Sequence, residues 1–254
     1  MLKKELHIFL TAIMFFTRIP CPNWVDHNPD YLSKSSKYFS LVGIIVGSFG
    51  ALAFYGSLYL LPLEIAILLS MAATIYTTGA FHEDGFADVC DGLGGGWTKE
   101  KILSIMKDSR LGTYGAVGLI LILTIKFFAL KSSPTSLIPI LLISGHSLSR
   151  FMATTLIYTH PYVRDDINSK AKPAAKSINM KMIVISGLFG IAPLFLFFSP
   201  WVFISIIPVY LAKMYLGKKF MKWLGGHTGD CAGAIQQLCE VVFYLSILII
   251  WKYI

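Results

Sequence analysis

From Tyr38 onward the chain is a succession of long apolar segments, and this pattern restricts its possible folds more than any other feature. Seven such segments can be marked, at 38–61, 63–81, 111–130, 137–158, 182–199, 201–216 and 234–251. Each comes near the ~20 residues that a helix needs to cross about 30 Å of hydrocarbon. Pro62, Pro134, Pro139, Pro200 and the Gly225-Gly226 pair mark breaks between them, and the fifth and sixth lie so close that the sequence does not fix their boundary. A chain of 254 residues that is 55% hydrophobic and only 14% charged, with a mean hydropathy of +0.66, fits a lipid-embedded protein and not a soluble one. The expectation is an all-α, polytopic integral membrane helix bundle of about seven transmembrane helices, forming one domain over residues 1–254, with membrane lipid as a partner.

The first 37 residues differ from the rest. The apolar stretch from Leu6 to Thr17 is too short to span, and no small-x-small cleavage site follows it, so an interfacial or re-entrant helix is expected there instead of a signal peptide. Cys21, Cys90, Cys231 and Cys239 form no C-x-x-C pair and read as reduced core residues. The formal charge of +8 is spread over short loops, which argues against nucleic acid as a partner. Eighteen of the 22 Lys and Arg residues fall on the side of the N-terminus and of loops 18–37, 82–111, 158–181 and 213–222, while Lys131 and Lys252 fall on the other. By the positive-inside rule the first side is cytoplasmic, and it carries every polar cluster of interest. Glu64 and Lys126 read as end-of-span residues that reach the surface.

The densest of these clusters runs from Phe81 to Gly96 and holds Glu83, Asp84, Asp88 and Asp91. In a helix, Asp84, Asp88 and Asp91 stand at i, i+4 and i+7 and share one face. Carboxylates so placed repel one another unless a cation sits between them, and an oxygen-only set favours Mg²⁺ or Mn²⁺ over zinc. Glycines at 85, 92, 94, 95 and 96 leave backbone open to the approach of a phosphate or sugar. A second cluster, Lys107-Asp108-Ser109-Arg110, precedes a span and suits a diphosphate clamp, or an anchor for anionic lipid. A third, Gly225-Gly226-His227-Thr228-Gly229-Asp230, opens the last span as an anion or metal-ligand site, or as a turn capped by Thr228 or Asp230. Glu240 lies inside that span, where an ionisable group usually has a function. Arg150, in the polar run Ser144–Arg150, needs an anionic partner, for which Asp88, Asp91 and Asp230 are candidates. His82-Glu83 lacks the second histidine of a metalloprotease motif, and neither a phosphate-binding loop nor a nucleophile elbow is present.

Taken together and in order, residues 82–93 (HEDGFADVCDGL), 107–115 (KDSRLGTYG) and 225–240 (GGHTGDCAGAIQQLCE), with the Phe16, Thr17, Arg18 and Pro20 element, resemble the cobalamin synthase family of adenosylcobinamide-GDP ribazoletransferases over nearly the whole chain. Glu83 departs from that family's usual leucine and is not counted as a ligand. The resemblance implies attack of a hydroxyl of α-ribazole, or of its 5′-phosphate, on the cobinamide-side phosphorus of adenosylcobinamide-GDP. GMP leaves, and divalent metal is required. It implies Asp84, Asp88 and Asp91 as ligands of Mg²⁺ or Mn²⁺, helped by Asp108 or Asp230, with one of the first three carboxylates or His82 taking the proton. Lys107, Ser109, Arg110 and Arg150 are then expected on phosphate oxygens, Asp108 beside them, and His227 and Thr228 closing the site. It leaves room for a homodimer and for association with other corrinoid-assembly enzymes. Two alternatives are a CDP-alcohol phosphotransferase, whose acidic motif differs after Ala87, and a cation or solute transporter, which would need polar groups leading to the far face.

Overall fold

A computed structural model describes residues 2–25, 28–164 and 178–253, and within them all regular structure is helical apart from one isolated bridge between Tyr162 and His227. The helices are α1 (Leu2–Phe16), α2 (Pro29–Ser35), α3 (Phe39–Leu58), α4 (Leu63–Thr78), α5 (Phe81–Gly95), α6 (Lys99–Ile105), α7 (Thr113–Lys131), α8 (Ile138–Thr159), α9 (Met180–Ile191), α10 (Ile206–Leu224) and α11 (Gly229–Tyr253). Lys170, Lys172 and Lys176, part of the charge count above, lie outside the described residues. Six helical stretches are long and apolar enough to cross a membrane, and a seventh is reached if the bent pair of α4 and α5 is one span. This is the polytopic helical architecture the apolar segments predict. Their lipid-facing character is seen in exposed Leu52, Tyr76, Ile120, Leu121 and Phe198.

One boundary that the sequence leaves open is located, and one expectation about the spans is corrected. The fifth and sixth spans meet at Phe198, whose left-handed φ of 51° lies between two 3-10 turns, Ala192–Phe197 and Pro200–Ser205. The second apolar segment does not continue straight to Phe81. Gly79 and Ala80 both take left-handed conformations, φ 67° and 58°, and turn α5 through 88° from α4. For Ala80 that conformation costs roughly 1–2 kcal/mol, so the surroundings must hold it. They do: its amide donates to the Ile75 carbonyl, and the Arg18 amide donates to the Thr77 carbonyl at 2.7 Å. The Thr17 hydroxyl donates to Ile13 O and accepts from the Ile19 amide, closing α1 beside this corner. The Thr17-Arg18 element is therefore a joint that fixes the start of α5.

Helix α11 is the central post, packed against α5, α7, α8 and α10, while α3 lies along α8 and α4. Small residues let these helices touch backbone to backbone. A Cβ on Gly43 or Gly47 of α3 would strike the main chain of α8 at His146 and Ile143. On the other side of the core, Gly85 of α5 lies against the Asp230 backbone and Gly233 of α11 against the His82 carbonyl. Helix α5 is thereby pressed onto the N-terminal half of α11, which brings its acidic face next to Asp230.

Candidate active site

Helix α5 is polar on two faces with different surroundings. Asp84 is exposed and Asp88 half-buried, and the charges that bear most on the Asp88 carboxyl are those of Asp230, Asp84, Arg164 and Asp91. Asp84 also bears on Asp230. Asp84, Asp88 and Asp230, from α5 and α11, thus form one electrostatic cluster at the end of the bundle where α11 begins. The i, i+4 spacing of the first two does what the sequence predicts. Asp230 is engaged by Arg164, whose Nη2 lies 2.8 Å from its Oδ2 and also donates to the Met106 carbonyl at 3.1 Å.

Asp91 requires a correction. Its Oδ2 accepts from the Gly112 amide and its Oδ1 from the Gly115 amide, both at 2.8 Å, and a Cβ on either glycine would collide with the carboxylate. These donors are free because they open α7, and the helix dipole there favours an anion. Asp91 therefore ties α5 to α7, and the i+7 position on the stripe carries an anchor where a metal ligand was expected. Asp108 is likewise drawn elsewhere. Both its oxygens accept from the Arg110 side chain and Oδ1 also from the Arg110 amide, and these bonds hold its carboxyl down at about 2. Asp108 and Arg110 are thus an exposed, mutually satisfied pair on the rim, next to exposed Lys107 and Ser109. The rim loop reaches the acids through Arg164 on Met106, and the Asp108–Arg110 pair is satisfied within the loop itself.

The glycines too have a different use from the one expected. A Cβ at Gly92 would meet Met106, at Gly94 the Tyr114 ring, and at Gly96 Ile102, so they admit α6 and α7 against α5, where a phosphate or sugar was expected.

His82 belongs to the other face. It is 1% exposed, its ring stacks on Phe39 at 5.6 Å, and its Nε2 has no partner among the described residues. It stands with Arg150, His146, Glu240 and Lys126, not with the aspartates, so it is withdrawn as the proton acceptor. Arg150 is corrected for the same reason: it donates to the His146 carbonyl at 2.9 Å, approaches its Nδ1 and lies over the Phe39 ring, while none of Asp88, Asp91 and Asp230 is its partner. Lys126 is no surface residue but pairs with Glu240, both about 1% exposed or less. Glu240 also accepts from Tyr244 and Gln236, and the chain continues through Gln237 to Glu83 at 2.9 Å. Glu83 is buried.

His227 and Thr228 are structural as well. His227 is buried, exchanges main-chain hydrogen bonds with Pro161 and Val163, and keeps its Nδ1 3.1 Å from the Pro161 carbonyl. Burial lowers its imidazole to about 4, leaving it neutral. The Thr228 hydroxyl accepts from the Cys231 amide and so caps α11, and it donates to Asp230 at 3.3 Å. The capping alternative is the one realised. Arg164, in contrast, was counted in the sequence only toward the charge balance. The signal that could have found it is the repulsion of four acids, which demands a cation from another part of the chain.

The donor set suits a hard divalent cation. Among the described residues no three His, Cys, Asp or Glu side chains converge as a ready cage. Mg²⁺ does not need one, because it is commonly held by one or two carboxylates with waters and substrate phosphates completing its shell. The Asp84 side chain is exposed, and Asp88 stands one turn further on the same face of α5.

The sequence model of the family described as cobalamin-5-phosphate synthase matches residues 8–248. Among curated relatives, the adenosylcobinamide-GDP ribazoletransferase of Shewanella frigidimarina is 47% identical over 249 residues, 96% of this chain and 95% of the relative. Those of Shewanella piezotolerans and Shewanella amazonensis are 44% and 41% identical, each over 98% of this chain and 97% and 98% of their own. No solved structure matches the chain. A match over nearly the full length, covering the acidic face of α5, the rim loop and the start of α11, shows that this chain belongs to the cobalamin-5-phosphate synthase family.

Proposed function

We propose that the chain is a metal-assisted phosphotransferase that joins adenosylcobinamide-GDP to α-ribazole or its 5′-phosphate, giving adenosylcobalamin or its 5′-phosphate and GMP. The curated relatives carry the name of this activity across the whole chain. The observation that carries the mechanism is the opposition of Asp84 and Asp88 on α5 to Asp230 on α11 at one open end of the bundle. Asp84, Asp88 and Asp230 would hold Mg²⁺ or Mn²⁺, which supplies neutralisation of phosphate oxygen charge and alignment of the diphosphate.

The rest falls to the chain's own groups. Arg164 and the rim residues Lys107, Ser109 and Arg110 supply positive charge and hydrogen bonds for phosphate oxygens. With His82 buried, the proton of the attacking hydroxyl goes to a carboxylate oxygen of Asp84 or Asp88. The site faces the cytoplasm by the distribution of Lys and Arg, and this end of the bundle carries Lys99, Lys101, Lys107 and Arg110. The bacterial inner membrane is the corresponding location.

The deciding experiment incubates the purified full-length protein with adenosylcobinamide-GDP, α-ribazole and Mg²⁺ and follows GMP. Release of GMP that stops with a chelator and returns with Mg²⁺ or Mn²⁺ supports the proposal. Release that a chelator leaves unchanged removes the metal from it, and no release removes the reaction.

A further inference from the structure

Residues 160–164, which follow α8, are pinned to the start of α11. The Val163 amide donates to the His227 carbonyl and the His227 amide to the Pro161 carbonyl, which fixes the backbone just before Arg164 against the start of α11. From that fixed point the Arg164 side chain reaches into the acid cluster, with Nη2 shared between Asp230 Oδ2 at 2.8 Å and the Met106 carbonyl at 3.1 Å. Both side chains of the pair keep 19% of their surface exposed, so water reaches the contact. The pair is open to exchange in a way that a sealed ion pair is not.

A guanidinium at the point where oxygen ligands gather does the work of a cation. It relieves the repulsion among Asp230, Asp84 and Asp88, and it occupies an oxygen of Asp230 that a metal would use. Once a divalent ion takes that oxygen, the attraction holding Arg164 is cancelled and the guanidinium is repelled by the newcomer. The residue before it stays tied to the start of α11. The nearest new anion is the diphosphate brought by the same ion, and a guanidinium fork matches phosphate oxygens bidentately.

We infer that Arg164 is a place-holder for the metal, resting on Asp230 in the empty site and moving to a phosphate oxygen of the diphosphate substrate when metal and substrate enter. The inference rests on the metal-assisted reading above. It assigns to one residue two effects of opposite sign, since Arg164 competes with the metal before substrate binds and assists the substrate afterwards. A merely structural arginine would not oppose metal binding.

The test uses the full-length protein in detergent. Mn²⁺ binding without substrate is measured from the electron paramagnetic resonance of the free ion, and GMP release gives KM for adenosylcobinamide-GDP and for α-ribazole. Arg164→Ala is expected to bind Mn²⁺ several-fold more tightly than the unaltered chain, yet to show KM for the diphosphate substrate raised roughly tenfold or more, with KM for α-ribazole little changed. Arg164→Gln removes the charge while keeping a polar, unbranched side chain, so it carries the same expectation if the alanine variant does not fold. Equal or weaker Mn²⁺ binding in the variants overturns the inference while leaving the metal reading intact. A rise of KM shared equally by both substrates also overturns it. Absence of Mn²⁺ binding in every protein, the unaltered one included, overturns this inference, and the metal reading falls with it when a chelator also leaves GMP release unchanged.

Discussion

Two groups of charged side chains lie on opposite faces of α5, and they are built differently. At the mouth, Asp84, Asp88 and Asp230 bear on one another, Arg164 reaches them on a solvated side chain, and Asp84 is open to water. In the interior, Glu240 is wrapped by Lys126, Tyr244, Gln236 and His146, all buried, and the hydrogen bonds run on to Glu83. The first group keeps like charges together and leaves their neutralisation incomplete. The second surrounds the Glu240 carboxylate with partners on several sides, although Glu83 Oε2 and Arg150 Nε have none among the described residues. Unbalanced charge that stays wet is kept for a ligand, whereas balanced charge that is sealed holds helices together.

The largest expected effect tests the first half of that contrast. Asp84→Asn leaves volume and helix unchanged and removes one negative charge from the mouth. It is expected to lower GMP release by a factor of about 10³ or more while the thermal unfolding midpoint in detergent stays where it was. Near-normal release would mean that the charges at the mouth are not there for the reaction.

Glu240→Gln tests the second half. Replacing one partner strands the Lys126 ammonium in a dry interior, which is expected to cost about 3–5 kcal/mol of stability. The loss is read as a lowered unfolding midpoint, with activity falling only as folded protein is lost. Replacing both partners, as Lys126→Met with Glu240→Gln, is expected to recover most of the stability, because the stranded charge goes while an acceptor for Tyr244 and Gln236 stays. Failure of the pair to recover would show that more than the stranded charge sets the cost of the single change.

Asp91 stands on the stripe of the first group but is held like the second, and so sharpens the boundary. As the anchor of the Gly112 and Gly115 amides, its replacement by Asn is expected to cost about 1.5–3 kcal/mol of stability and to leave Mn²⁺ affinity unchanged. A loss of Mn²⁺ affinity without a loss of stability would return Asp91 to the ligands.

This residue also shows what the sequence could and could not reveal. Helical spacing placed Asp84, Asp88 and Asp91 on one stripe, and the stripe is real, because period and backbone geometry are local. What each carboxylate meets depends on which helix end or cation comes alongside, and that is tertiary. Asp91 meets the start of α7 and Asp230 meets Arg164, 66 residues away in sequence by their numbers. The apolar segments were legible because the bilayer imposes length and composition directly. The 88° corner was not, since it rests on Ala80 in a left-handed conformation that its sequence does not advertise. Lys126 illustrates the same limit: a lysine in an apolar run reads as a surface residue until its partner, Glu240 on another helix, is in place.

The smallest effect is expected from the pair that resembles Lys126–Glu240 in chemistry alone. Lys131 and Glu64 lie 2.9 Å apart at the ends of α7 and α4, with 40% and 45% of their side-chain surface exposed. Water solvates both charges whether or not they meet, and salt screens what attraction remains. Glu64→Gln is therefore expected to leave GMP release unchanged and the unfolding midpoint within error of the unaltered chain, at low and at high salt. The same Glu-to-Gln change at position 240 is expected to lower the midpoint clearly. If the two substitutions proved equally costly, burial would not be what separates the groups, and the distinction between wet charge kept for a ligand and sealed charge kept for architecture would lose its physical basis.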